Sequence, residues 1–130
     1  MSVIFTNGCF DIIHRGHLEL LKFCKRLGST VVVGINSDAS IKKLKGETRP
    51  INNQEDRVFM LESLRYVDKV IVFEEETPYN LIKKIKPDTI VKGSDYKKEE
   101  VVGFDLCEVV IFEKIDGYST TKKIQDISNR

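Results

Sequence analysis

Several features are scarce in this 130-residue sequence, and each scarcity argues against a class of protein. The three cysteines are odd in number and far apart, which argues against a disulfide framework and favours the reducing cytosol. No apolar run approaches the roughly 20 residues that span a bilayer, and the first residues do not resemble a secretory signal. Because 21 basic residues face 20 acidic ones, the net charge is only +1. We therefore expect a cytoplasmic protein with neither a nucleic-acid partner nor a membrane partner.

Short β-branched runs alternate with amphipathic segments along the chain. Strands are predicted at 3–6, 30–36, 69–73, 89–92 and 108–112. Helices are predicted at 16–27, 38–44, 54–66 and 119–128, with one more that Thr77 caps and that has Pro78 in its first turn. This alternation predicts one doubly wound α/β domain over residues 1–130, Rossmann-like, with a central parallel sheet. Ligands of such folds bind at the carboxyl ends of the strands.

The first polar cluster follows the first predicted strand. Its candidate nucleotide-binding residues are Thr6, Asn7, Gly8, Cys9, Phe10, Asp11, His14 and His17. The two histidines are three positions apart at a helix start, so they share a side of the helix. Backbone N–H groups and the positive end of the helix dipole favour a phosphate there. Imidazoles at this position are suited to stabilising charge during phosphoryl-type transfer, which needs no covalent nucleophile.

Two other interpretations of the histidines are open from the residues alone. Cys9, His14 and His17 are three potential zinc ligands, although a fourth ligand is missing. Both imidazoles could instead serve only the local structure. Cys9 itself is interpreted as a small packing residue in the turn.

A second polar cluster opens the last predicted helix. Ser119, Thr120 and Thr121 follow Gly117, and one hydroxyl would suffice as a helix cap. Three hydroxyls together with free backbone N–H groups suit a second phosphate. The alternative is that these hydroxyls serve only to cap the helix.

The middle of the chain carries candidate acceptor-side and base-side residues. Four basic residues against Glu47 give a local surplus of three positive charges, at positions Lys42, Lys43, Lys45 and Arg49. They form either a charged surface loop or a group from which Lys45 or a neighbour reaches a phosphate. Arg57 and Arg65, on one predicted helix, either bind an acceptor phosphate or pair with carboxylates such as Glu55 and Asp68, and Arg65 is favoured for a binding or interface role. The turn at Lys92, Gly93 and Asp95 either approaches a base or is a plain polar turn.

Beyond these patterns, the sequence resembles a known family. The run Gly8-x-Phe10-Asp11-x-x-His14-x-Gly16-His17 resembles the HxGH signature of the cytidylyltransferase-like nucleotidyltransferase superfamily. Residues 117–121 resemble the Ser-Thr-Thr motif of that family, which holds nucleotide phosphates. Residues 92–103 are similar to the adenylyltransferase domain of heptose-phosphate enzymes, in which this domain follows a sugar kinase. The present chain has no kinase-sized region, so we expect a stand-alone domain or a fragment.

The resemblance implies transfer of a nucleoside monophosphate from a nucleoside triphosphate, ATP by preference, to a sugar 1-phosphate. It implies D-glycero-D-manno-heptose 1-phosphate as acceptor, pyrophosphate as product, Mg²⁺ as cofactor and a homodimer as the assembly. His14, His17 and Lys45 are then the catalytic residues. Binding of the nucleotide is also expected from Lys92, Gly93, Asp95, Gly117, Ser119, Thr120 and Thr121, and binding of the acceptor from Asp11, Lys45 and Arg65. The alternatives are a CTP-dependent cytidylyltransferase acting on glycerol 3-phosphate or another polyol phosphate, and a catalytically silent nucleotide-binding module.

Overall fold

The computed structural model describes residues 2–113. The helices are α1 (Arg15–Leu27), α2 (Asp38–Lys45), α3 (Gln54–Glu62) and α4 (Tyr79–Ile85), with a short 3₁₀ turn at Lys98–Glu100. The strands are β1 (Val3–Gly8), β2 (Thr30–Asn36), β3 (Lys69–Phe73), β4 (Thr89–Gly93) and β5 (Glu108–Phe112). The predicted helix at 119–128 and the hydroxyl-rich segment before it lie outside the described residues.

The five strands form one parallel sheet in the order β3-β2-β1-β4-β5. The chain builds outward from β1 through β2 to β3 and then returns to place β4 on the other side of β1. The switch point of the sheet therefore lies between β1 and β4, where ligands of doubly wound folds bind. The histidine-bearing connection leaves the carboxyl end of β1, beside this switch point.

Both faces of the sheet are covered, which confirms the predicted doubly wound architecture. Alternate residues of a strand point to opposite faces, so neighbouring apolar residues enter different cores. Ile4 packs with Leu21 of α1 and Leu61 of α3 on one face. Phe5 packs with Ile82 of α4 on the other. This double burial explains the continuous apolar character of the strands. No helix within residues 2–113 is long and apolar enough to cross a bilayer.

The end of α3 and the start of α4 differ from the prediction. Helix α3 ends at Glu62 rather than residue 66, because the Ser63 hydroxyl donates to the Phe59 carbonyl at 2.8 Å and the chain then tightens into turns. Arg65 therefore lies outside the helix and does not share a helix face with Arg57. Thr77 does not cap α4. Pro78 is the cap residue, and its carbonyl accepts the first helical hydrogen bond from the Ile82 N–H at 2.9 Å.

Candidate active site

The turn that begins α1 holds its two histidines in a reciprocal cap. His14 is the N-cap residue, and its Nδ1 accepts the Gly16 N–H at 3.0 Å. The Nδ1 of His17 in turn accepts the His14 N–H at 3.2 Å. A ring nitrogen that accepts a hydrogen bond carries no proton, so each neutral imidazole carries its proton on Nε2. Both side chains are thus preset to donate a hydrogen bond from Nε2.

Stacking fixes the planes of the two imidazoles. Their ring centroids lie 3.9 Å apart with an interplanar angle of 24°. The buried ring of Phe10 supports His17 from a centroid distance of 4.9 Å. The backbone of Phe10 has a φ of 48°, a left-handed conformation that is uncommon for a bulky residue. A Cβ at Gly8 would lie 3.2 Å from Cε2 of Phe10, so the missing side chain at Gly8 makes room for this ring.

Asp11 joins the histidine turn to the connection between α2 and α3. Its side chain is fully buried. Its Oδ2 accepts hydrogen bonds from Arg49 Nε at 3.2 Å and from the Ile51 N–H at 2.9 Å. Its Oδ1 accepts the Asn52 N–H at 2.8 Å, while the Asn52 side-chain amide donates to the Asp11 carbonyl at 2.6 Å. The carboxylate of Asp11 is therefore occupied in positioning residues 49–52 against the turn.

Arg57 is a buried cation that ties the surrounding connections together. It is 1% exposed, and its Nη1 donates to the carbonyls of Cys9 and Asn36 at 2.9 and 2.8 Å. Its Nε donates to the Asn52 carbonyl at 3.0 Å, and its Nη2 pairs with Asp38 at 2.8 Å. The carboxylate partner is thus Asp38 rather than the predicted Glu55 or Asp68, and this guanidinium holds backbone rather than a ligand.

On the other side of β1, polar groups of β1 and β4 meet at the switch point. The Thr6 hydroxyl donates to the Val91 carbonyl at 2.8 Å and joins the two strands. Nζ of Lys92 lies 3.3 Å from the carbonyl oxygen of Asn7 and 3.4 Å from its Oδ1. The same ammonium lies 4.9 Å from the centroid of the Tyr96 ring. The structure therefore brings predicted nucleotide-binding residues of β1 and β4 together.

Three further predicted site residues, Gly93, Asp95 and Cys9, lie near this edge of the sheet. Gly93 is the buried last residue of β4, and Asp95 is exposed in the turn that follows. Cys9 is half-buried, with its sulfur 3.8 Å from Oδ1 of Asn36. Within residues 2–113, no three His, Cys, Asp or Glu side chains are grouped as a metal site requires. The zinc interpretation of Cys9 and the two histidines therefore has no support from the described residues.

Lys45 and Arg65 lie on the surface, and neither is hydrogen-bonded to the histidine turn within the part of the chain that the structure describes. Lys45 is the exposed last residue of α2. The guanidinium of Arg65 donates to the Tyr66 hydroxyl at 3.1 Å, which raises the pKa of Arg65 and lowers the pKa of Tyr66. Gly117 and the hydroxyls at 119–121 lie outside the described residues, so their position relative to the histidines stays a prediction.

Comparison with known proteins identifies the family. The sequence profile of the family described as cytidylyltransferase-like matches residues 5–128, nearly the whole chain. The chain belongs to the cytidylyltransferase-like family. This membership confirms the nucleotidyltransferase resemblance that the histidine motif indicates.

Relatives of this cytidylyltransferase-like chain include two bifunctional proteins named HldE. The protein from Campylobacter concisus is 56% identical over 132 residues, which cover 98% of this chain and 28% of the relative. The protein from Nitratiruptor is 55% identical over 124 residues, which cover 95% of this chain and 27% of the relative. The chain thus spans little more than a quarter of the length of these relatives. They confirm the resemblance to the adenylyltransferase domain of heptose-phosphate enzymes.

Solved structures show the same fold. A lipopolysaccharide core biosynthesis protein from Thermoplasma volcanium superposes with a TM-score of 0.75 at 29% identity, over 89% of this chain and 99% of that one. Pantothenate synthetase from Thermus thermophilus superposes with a TM-score of 0.60 at 20% identity, over 88% of this chain and 56% of that one. The latter similarity concerns the fold alone. Both are consistent with the Rossmann-like sheet of the cytidylyltransferase-like chain.

Proposed function

We propose that the chain transfers a nucleoside monophosphate from a nucleoside triphosphate to a sugar 1-phosphate and releases pyrophosphate. ATP is the proposed donor and D-glycero-D-manno-heptose 1-phosphate the proposed acceptor. The observation that carries the proposal is the reciprocal cap, which sets two stacked imidazoles with Nε2 protons at the start of α1. The identity with the HldE proteins across nearly the whole chain supports the choice of substrates.

The proposed reaction uses the hydrogen-bond donors and the positive helix end at this turn. An oxygen of the acceptor phosphate attacks the α-phosphorus in line, a new P–O bond forms, and the bond to the bridging oxygen of pyrophosphate breaks. Negative charge moves onto the leaving pyrophosphate and the non-bridging oxygens. The Nε2–H groups of His14 and His17 donate to these oxygens, and the positive end of the α1 dipole adds to the stabilisation. No covalent enzyme intermediate is required.

The nucleotide is proposed to bind at the switch point between β1 and β4. Asn7 and Lys92 already meet there, with Gly93 and Asp95 in the following turn. Gly117 and the hydroxyls at 119–121 are proposed to hold the triphosphate from the other side. Mg²⁺ is proposed to enter as the metal–nucleotide substrate, with triphosphate oxygens as its ligands. Lys45 is proposed to assist as a cation at the phosphates.

The test is a matrix of substrates. The protein is incubated with each nucleoside triphosphate, Mg²⁺ and a panel of sugar and polyol phosphates, and released pyrophosphate is measured. Release only with ATP and heptose 1-phosphate is the expected result. Release with CTP and glycerol 3-phosphate would establish the cytidylyltransferase alternative instead. Binding of ATP without any product would establish a silent nucleotide-binding module.

Two further properties belong to this proposal. A homodimer is expected from the family resemblance, and light scattering of the purified protein measures the assembly directly. A cytoplasmic location is expected from the low and odd number of cysteines. Fractionation of cells that express the full gene product would test it.

A further inference from the structure

Arg49 carries a guanidinium whose hydrogen bonds are incomplete. Its side chain is only 11% exposed, and its Nε is bound to Asp11. Its Nη2 is buried and has no hydrogen-bond partner within the part of the chain that the structure describes. Buried N–H groups in folded proteins are almost always paired, and a charged group left unpaired is especially unfavourable. Within residues 2–113, no acceptor therefore meets this end of the guanidinium.

The position of Arg49 points to the kind of acceptor that this end would bind. Four hydrogen bonds join Asp11 to residues 49–52, and Asp11 is three residues before His14. The guanidinium therefore reaches the histidine turn from the β2–β3 connection. Lys92 of β4 contacts Asn7 near the carboxyl end of β1. Because β2 and β4 flank β1 on opposite sides, the two cations approach from opposite sides of β1.

The guanidinium of Arg49 is suited to binding a phosphate. A guanidinium whose Nε is already bound keeps its two Nη groups as a fork, which matches two oxygens of a phosphate. The bond to Asp11 fixes the orientation of that fork. Two backbone N–H groups share the charge of the Asp11 carboxylate with Arg49, so the guanidinium is not fully neutralised.

We propose that Arg49 binds the phosphate of the acceptor and thereby selects a phosphorylated sugar as substrate. This inference rests on the proposed function, and it assigns to the fixed Arg49 the anchoring role that the sequence pattern offered to Lys45. The nucleotide occupies the β4 side, the acceptor phosphate occupies the β2 side, and the imidazoles lie between them. Arg49 is then a specificity-determining residue for the acceptor.

The kinetic test compares Arg49→Lys and Arg49→Met with the matched surface control Arg26→Met, at an exposed position of the last turn of α1. We expect the Arg49 variants to raise KM for heptose 1-phosphate by about tenfold or more, since each lost 1.4 kcal/mol is a factor of ten. KM for ATP should stay within about twofold, and the Arg26 variant should behave as the wild type. Equal changes in both KM values, or an unchanged KM for the sugar phosphate, would overturn the inference.

A binding experiment separates this inference from the proposed function. Inorganic phosphate is titrated into the wild type, Arg49→Met and Arg26→Met without nucleotide, and binding is followed by calorimetry. We expect binding by the wild type and Arg26→Met and its loss in Arg49→Met, with thermal unfolding verifying that each variant is folded. If Arg49→Met loses phosphate binding but the wild type shows no nucleotidyl transfer, the Arg49 site is supported and the proposed function is not. Equal phosphate binding by Arg49→Met and wild type, or none by the wild type, would overturn the Arg49 site whether or not transfer occurs.

Discussion

His14 and His17 stack with their ring centroids 3.9 Å apart, and each uses Nδ1 to accept a backbone N–H of the same turn. The side chains that stabilise the start of α1 are therefore the same two imidazoles to which we assign the proposed chemistry. The nitrogen that stabilises the turn, Nδ1, is distinct from Nε2, the nitrogen of the proposed catalytic role, so substitution can separate the two.

The first prediction separates capping from catalysis at His17. In His17→Asn, the amide oxygen can replace Nδ1 as acceptor for the His14 N–H, but nothing replaces Nε2. We expect turnover to fall by about 10²-fold or more, with nucleotide affinity nearly unchanged. His17→Ala loses the same turnover and also about 1 kcal/mol of stability, because it removes the cap. Steady-state kinetics and urea unfolding measure both quantities, and equal losses of turnover and affinity would indicate a role in binding only.

The second prediction concerns pH. Protonation of either imidazole places a proton on Nδ1 and removes the acceptor of the reciprocal cap. We therefore expect kcat/KM to fall in mild acid as the imidazoles become protonated. The measurement is a pH–rate profile at saturating Mg²⁺, with His17→Asn as the comparison. A profile that stays flat across this range would contradict the assignment of neutral imidazoles.

The third prediction concerns the stability supplied by Arg57. Its removal in Arg57→Met leaves three backbone carbonyls without their donor and Asp38 without its partner. We expect a loss of about 3 kcal/mol in the free energy of unfolding, measured in urea. The exposed Arg26→Met should change it by less than about 0.5 kcal/mol. A loss at Arg57 as small as that at Arg26 would refute the structural role.

The fourth prediction concerns Asp68, which directly precedes β3 and accepts a hydrogen bond from the Val31 N–H of β2. The hydrogen bond from Lys25 Nζ, and after it the Val31 N–H, hold the pKa of Asp68 below its usual value, while burial opposes them. Because the folded pKa lies below the unfolded one, the stabilisation is present above the unfolded pKa of about 3.9 and is lost as the pH falls further. Asp68→Asn should therefore be less stable than the wild type at pH 7.

The control for Asp68 is that the stabilities of the wild type and Asp68→Asn should converge in acid. Unfolding of wild type and Asp68→Asn is measured between pH 7 and pH 2, and the difference should shrink below about pH 4. Lys25→Met should reduce the difference at neutral pH, because it removes the strongest interaction that lowers the pKa of Asp68. A difference independent of pH would show that the carboxylate charge contributes nothing.

The fold could be predicted from local patterns because burial on both faces leaves a strong signal. The strands at 30–36, 69–73 and 108–112 have the predicted bounds, since each contains a run of β-branched residues and is followed by polar residues. The ends of the helices were harder to predict from the sequence. The Ser63 hydroxyl ends α3 early, and Pro78 takes the cap position from Thr77, and both depend on backbone hydrogen bonds that residue types alone do not fix.

The candidate site could be predicted only in part. The spacing of His14 and His17 places them on one side of a helix start, and the structure agrees. The burial of Arg57 had no local signal, because arginine on a helix is ordinarily exposed. Asn52, which has two hydrogen bonds to Asp11, also had none. Both depend on contacts between segments about 40 or more residues apart, and tertiary structure alone brings these segments together.

Arg57 has a consequence for protein engineering. Its contacts extend from the connection after β1 to the connection after β2 and to the segment before α3. Hydrogen bonds therefore connect the segment after β1 to residues 36–38 and 49–57. A graft that moved the histidine motif alone to another scaffold would lack these supporting hydrogen bonds.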